Sequence, residues 1–183
     1  MKKVVALLLF RIDETIRKIR TLQEGGKYFP PESGEGKYCW PLDYGLITSN
    51  FGYRKDPIQR SLTRFHAGLD LAAAPNEPVH AVAFGTVIEA GWAGNWGRRI
   101  RIRHPGGTES LYAHLATILV KEDQEVTRGE VIGLLGRSGR TTGHHLHFGL
   151  YLEGKAVDPL EHLPAVPMSF SDISPWVTFG SDE

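Results

Sequence analysis

From Pro41 onward the chain consists of short β-branched and apolar runs cut by glycine, and this pattern limits the accessible folds more than any other feature. The runs at 46–50, 79–90, 99–104, 109–115, 130–135 and 145–152 read as strands. Between them no segment of useful length carries the 3.6-residue apolar period of a helix, so crossover helices of the kind that join parallel strands are missing. Sequential short strands with tight connections predict an all-β domain, mainly an antiparallel β-sheet or sandwich. The 21 glycines and 11 prolines among 183 residues supply its turns.

The flanks differ. Ile12, Ile16, Ile19 and Leu22 recur at helical spacing between charged residues, which predicts one amphipathic helix over 11–24, either packed on the main domain or docked on another chain or a membrane surface. Gly25-Gly26 ends it, and residues 27–41 read as an irregular connector. The tail from Pro164 reads as extended and held by Phe170, Trp176 and Phe179. The expected division is therefore a helix and connector over 1–40, a main domain over 41–163 and a tail over 164–183. Met1-Lys2-Lys3 and the apolar stretch 4–10 resemble the start of an export signal, but Arg11 and a charged segment follow at once, so the signal is incomplete. As a helix, that stretch would cover about 10 Å of a roughly 30 Å hydrocarbon core, so it is no transmembrane span.

Charge and cysteine content narrow the chemistry. Twenty-one basic residues balance 21 acidic ones, so no global field draws the chain to nucleic acid or anionic lipid. The length suffices for its own core, and a monomer is expected. Cys39 is the only cysteine, which excludes an internal disulfide and a cysteine-rich zinc site and leaves histidine and carboxylate as metal ligands.

Eight histidines are present, and their arrangement carries the information. In "FHAGLDLA", His66 and Asp70 stand four apart in a segment that favours extended chain, where even spacing puts side chains on one face. In "HHLHFG", His145 and His147 share a face by the same argument, and His144 points away. Two imidazoles and one carboxylate match the ligand count of a catalytic zinc site, which keeps a fourth position for water. Such a metal retains net positive charge, polarises a peptide carbonyl and lowers the pKa of bound water toward about 7, so hydrolysis is the natural chemistry.

The blocks "HAGLD", "YAHL" and "TTGHHLHFG" resemble the three signature motifs of the LytM/lysostaphin-type (M23) zinc endopeptidases. "ITSNFGYRKDP", "PVHAVAFGTVIEAGW", "GEVIGLLGRSGRTTG" and "VDP" resemble the flanking text of that family in the same order, so the likeness spans roughly 45–160. The resemblance implies that His66, Asp70 and His147 hold one Zn2+ and that His114 and His145 are the catalytic histidines. It also implies that the substrate is peptidoglycan peptide, in stem peptides or cross-links, and that the protein works in the periplasm, cell wall or extracellular space. Family members that have lost ligands act as activators of other wall enzymes, whereas all five key positions are filled here.

Further residues are candidates for substrate contact. Tyr112 stands two before His114 and either packs or lines the groove beside it, and Arg137 and Arg140 in "GRSGRTTG" can meet acidic peptide groups. That loop lacks the Gly-Lys-Ser/Thr ending of a phosphate cradle. Arg99, Arg101 and Arg103 alternate with Ile100 and Ile102 to give one cationic strand face, either solvated or forming a rim for carboxylates. Two other readings stay open: a non-catalytic wall-binding or amidase-activating module, and a latent enzyme whose groove is covered by residues 27–41 or the tail, with Glu32 or Glu35 as fourth ligand.

Overall fold

The structure is a computed structural model that describes residues 27–28, 37–57 and 59–165. The helix read at 11–24, Glu32, Glu35 and the aromatic tail lie outside the described residues. The strands are β1 (Lys27–Tyr28), β2 (Tyr44–Ser49), β3 (Gly52–Lys55), β4 (Thr63–His66), β5 (Leu69–Ala72), β6 (Pro78–His80) and β7 (Gly85–Trp92). They continue with β8 (Arg98–His104), β9 (Thr108–Ile118), β10 (Glu125–Val126), β11 (Val131–Leu135), β12 (Leu146–Leu152) and β13 (Lys155–Val157). Among the described residues the only helical turns are 3₁₀ turns at Gly94–Trp96 and Pro159–Glu161.

Eleven strands form one sheet along the path β1-β2-β5-β12-β9-β8-β7-β10, with β13 on β12, β11 on β9 and β6 on β11. All these pairings are antiparallel, as the tight connections require. A separate hairpin, β3-β4, stands beside the sheet. The run read as one strand over 79–90 is two strands. Residues 81–84 turn between them, and Ala81, Val82 and Ala83 are buried there in the core.

The core gathers Trp40, Tyr44, Leu69, Leu71, Ile100, Ile102, Leu115, Ile132 and Phe148, each with almost no exposed surface. Burying aromatic and branched side chains of this size is worth about 1.5–3 kcal/mol apiece. Tyr38, Cys39 and Trp40, placed by the sequence in an irregular connector, belong to this core, and the Trp40 indole N–H donates to the Pro164 carbonyl at 3.1 Å. The chain entering and the chain leaving the domain are thus tied together.

The cationic face of β8 stays partly solvated, away from the metal cleft, and is paired with carboxylates of the chain itself. Glu89 on β7 pairs with Arg99 and Arg101, and Glu109 on β9 pairs with Arg101 and Arg103, so a carboxylate ladder across three strands answers the arginines. Tyr112 also departs from the groove-lining alternative. It is fully buried; its hydroxyl accepts from the Val82 N–H at 2.9 Å and stands 3.0 Å from the Ser110 hydroxyl. The reason is local. His114 has φ of +64°, and the pairing of β9 slips beside it, so the alternation that would put both side chains on one face is broken.

Tyr112→Phe should therefore act on stability alone, because it strands a buried N–H. Chemical denaturation is expected to report a loss of about 1–3 kcal/mol, with metal binding unchanged.

Candidate metal centre

In β5, Leu69 and Leu71 are fully buried, and in β12 so are Leu146 and Phe148. Strand alternation turns the residue between each pair, Asp70 and His147, to the opposite face. The two strands are neighbours with Asp70 directly across from His147, so sheet register alone brings a carboxylate to an imidazole. His66 arrives from elsewhere. It is the last residue of β4, in the separate hairpin, and the turn at Ala67–Gly68 carries the chain into β5. His66 and Asp70 therefore lie on different strands, and the even-spacing argument reaches the right neighbourhood by the wrong geometry.

Gly68 makes this turn. A Cβ there would sit 2.4 Å from the Phe148 carbonyl oxygen and 2.7 Å from His147 Nε2, so any side chain would push β12 away. With glycine the three groups close up. His66 Nε2 lies 3.0 Å from Asp70 Oδ1 and 3.0 Å from His147 Nδ1, and His147 Nδ1 lies 2.9 Å from Asp70 Oδ1. It is the one such cluster of three His, Cys, Asp or Glu side chains among the described residues.

The donor set and its spacing fit a small divalent cation. Nitrogen and oxygen ligands about 2.0–2.2 Å from a tetrahedral zinc stand roughly 3.3 Å apart, within a few tenths of an ångström of this triangle. Magnesium and calcium demand six or more oxygen ligands and match two imidazoles poorly. The surroundings prepare the ligands for metal. His66 Nδ1 lies 2.8 Å from the Asn50 carbonyl; donating its N–H there leaves the Nε2 lone pair facing inward. Burial lowers the His147 pKa despite the opposing pull of Asp70, which keeps the ring in the neutral form a metal needs. Burial by itself would raise Asp70, but its bonds with His147 and His66 outweigh that and hold the carboxyl far below the usual range.

Two further imidazoles flank the triangle. His114 is buried on β9, its ring centroid 4.8 Å from that of His145 and 6.4 Å from that of His147. Its Nδ1 lies 2.8 Å from the Ser138 carbonyl, so Nδ1–H donates outward and Nε2 is left for the cleft. Burial brings its pKa down to about 4. His145 precedes β12 in a loop, with Nδ1 3.1 Å from the Gly143 carbonyl and Nε2 3.8 Å from Asp70 Oδ1. All five histidine and aspartate positions singled out in the sequence thus meet in one cleft of about 600 Å³. Arg140 lines that cleft and Arg137 does not; His144, expected to point away, stands exposed at its rim. His80 and His104 are elsewhere, bonded to the Gly129 and Phe84 carbonyls.

Over residues 64–159, more than half of its length, the chain matches the model of Peptidase family M23. It belongs to that family. A DD-carboxypeptidase/endopeptidase, Mpg, of Neisseria meningitidis is 42% identical over 133 residues, covering 72% of this chain and 30% of that protein. The murein hydrolase activator NlpD of Salmonella typhimurium is 37% identical over 126 residues, covering 68% of this chain and 31% of that protein. A zinc-containing peptidase of Vibrio cholerae, solved by crystallography, superposes with a TM-score of 0.63 at 37% identity, over 68% of this chain and 40% of that one. The chain spans about a third of the length of the curated relatives it matches.

Within this M23 domain, two side chains at the site escaped the sequence reading. Trp96, in the 3₁₀ turn, sets its ring 4.7 Å from that of His147. The turn itself is locked: at Gly97 (φ +65°) a Cβ would strike the Ser138 backbone at 2.4 Å, and the Arg140 N–H donates to the Asn95 carbonyl at 2.8 Å. Arg54 on β3 donates to Asp70 Oδ2 at 2.9 Å, so Oδ1 alone is turned to the two imidazoles. Its only sequence signal is its place in "NFGYRKDP", close before the first histidine.

Arg54→Gln should free the Asp70 carboxylate to rotate. Competition with a chelating dye is expected to show zinc affinity weakened about 10- to 100-fold, the usual effect of removing a group that orients a ligand.

Proposed function

We propose that this chain hydrolyses peptide bonds in the stem peptides or cross-links of peptidoglycan, with one zinc ion held by His66, Asp70 and His147 and with His114 and His145 as catalytic residues. The observation that carries this reading is the open arrangement of the site: three lone-pair atoms about 3 Å apart, with two more imidazoles on the cleft side. A structural zinc site closes all four positions with protein ligands, whereas a hydrolytic one keeps a place for water. Zinc bound there would polarise the scissile carbonyl and acidify a water molecule.

The chain's own residues then handle protons. His114, neutral at physiological pH, accepts a hydrogen bond or a proton at Nε2, and its Nδ1–H bond to Ser138 holds the ring in place while it does so. His145 stands on the adjacent flank with Nε2 toward the same space, placed to pass a proton to the departing amine. The substrate class rests on family membership and on relatives named for peptidoglycan chemistry, and it implies work in the periplasm, cell wall or extracellular space.

The activator reading has a relative behind it, but nothing among the described residues vacates or fills the ligand triangle. Zinc content and turnover measured together decide between the two. His66→Ala should lose zinc and hydrolysis of purified peptidoglycan together. His145→Ala should keep about one zinc per chain and lose roughly 10²- to 10⁴-fold in kcat, as expected for a general acid or base. Chelation should abolish activity in the unsubstituted protein, and added zinc should restore it. A zinc-loaded protein that releases no fragments would contradict the enzymatic reading.

A further inference from the structure

The cleft that holds the metal triangle is also lined by three arginines, Arg54, Arg64 and Arg140, against two carboxylates, Asp56 and Asp70. Asp70 belongs to the metal cluster, and Arg54 is tied to it. Asp56 is 2% exposed and lies beneath both remaining guanidinium groups. Arg64 Nε stands 2.9 Å from Asp56 Oδ2, and Arg140 Nη2 stands 3.3 Å from Asp56 Oδ1. The Gln59 backbone N–H also donates to Oδ1 at 2.7 Å, and Arg64 Nη2 donates to the Gln59 side-chain oxygen at 3.3 Å. A buried carboxylate thus fixes two guanidinium groups side by side, and their charge exceeds its own. Their outer edges face the cleft: the Arg64 side chain is 55% exposed and that of Arg140 is 36% exposed.

We propose that Arg64 and Arg140, held by Asp56, form a subsite for a free carboxylate on the substrate, close to the bond being cut. Each guanidinium has five N–H donors in a planar fork; Gln59 occupies one on Arg64, whose Nε is ion-paired with Asp56, while Asp56 takes two on Arg140. The remaining donors suit the bidentate geometry of a carboxylate. Prior fixation by Asp56 reduces the side-chain entropy lost when the anion arrives. With the scissile carbonyl at the metal and a carboxylate at the arginine pair, a short peptide is held at two points and has a single register. The chemical class that satisfies both points is a peptide whose leaving residue bears a free carboxylate. A carboxypeptidase substrate has that feature by definition, and so does an endopeptidase substrate cut at an amine next to a free carboxyl group. One subsite would therefore serve both reactions.

The subsite deepens the hydrolytic reading and uses it for its first readout. The test compares two peptides, Nα,Nε-diacetyl-Lys-D-Ala-D-Ala and its C-terminal amide, with the zinc-loaded full chain and with Arg64→Gln and Arg140→Gln variants checked for zinc content and melting. The unsubstituted protein should favour the carboxylate form about 10- to 100-fold in kcat/KM, chiefly through KM, as expected for a charge-assisted paired contact. Each variant should bring the ratio of the two peptides toward one. A merely structural latch would alter both peptides alike and leave the ratio intact, which would overturn the inference. If the unsubstituted protein cuts neither peptide, the hydrolytic reading has failed for this substrate. The subsite is then judged by calorimetric binding of the same two peptides: a carboxylate preference lost in both variants supports it, and equal binding of acid and amide overturns it.

Discussion

The site depends on how closely β12 can approach the turn between β4 and β5. His147 and Asp70 face each other because β5 and β12 are paired in register, but His66 reaches them only because Gly68 presents no side chain to the Phe148 carbonyl and the His147 ring. A free-standing triangle of lone pairs this tight would be repulsive. A shared proton or a cation resolves it, and the bonds that turn His66 Nε2 and Asp70 Oδ1 inward favour the cation. The fold can therefore be understood as a sheet that brings two of the three side chains together by register and a hairpin that delivers the third.

Around that centre, the walls of the cleft are fastened both to the sheet and to one another. The 3₁₀ turn bearing Trp96 interlocks with the loop around Ser138, its Asn95 carbonyl accepting from the Arg140 N–H, and the Ser138 carbonyl of that loop holds His114. Asp56 binds the same loop, through Arg140, to the β3-β4 hairpin. Residues that hold ligands, orient imidazoles and carry surplus positive charge thus belong to one connected rim. Fixed dipoles and charges of this kind lose little free energy to reorganisation when charge develops on a bound peptide.

Much of this was legible in the sequence because two of its signals are physically direct. Glycine-cut β-branched runs leave an antiparallel sheet as the simple outcome, and a sparse set of histidines with one aspartate is a ligand inventory whatever the fold. Fine geometry was less accessible. Even spacing assumed one strand for His66 and Asp70, whereas a turn intervenes; it assumed regular alternation at Tyr112 and His114, whereas a left-handed residue and a register slip turn one inward and the other to the cleft. Tertiary pairing set Glu89 and Glu109 from neighbouring strands against the β8 arginines, which no local pattern announces. Arg54, Trp96 and the Asp56 cluster depend on contacts between distant segments, and so became visible only in three dimensions.

The proposed centre is a single zinc held by His66, Asp70 and His147, with its remaining position open. Anomalous diffraction at the zinc edge from crystals of the zinc-loaded protein tests it most directly. One strong peak is expected about 2.0–2.2 Å from His66 Nε2, Asp70 Oδ1 and His147 Nδ1, with a non-protein fourth ligand on the side of His114 and His145. A peak lacking any of the three, or one closed by a fourth protein ligand in the active protein, would contradict it.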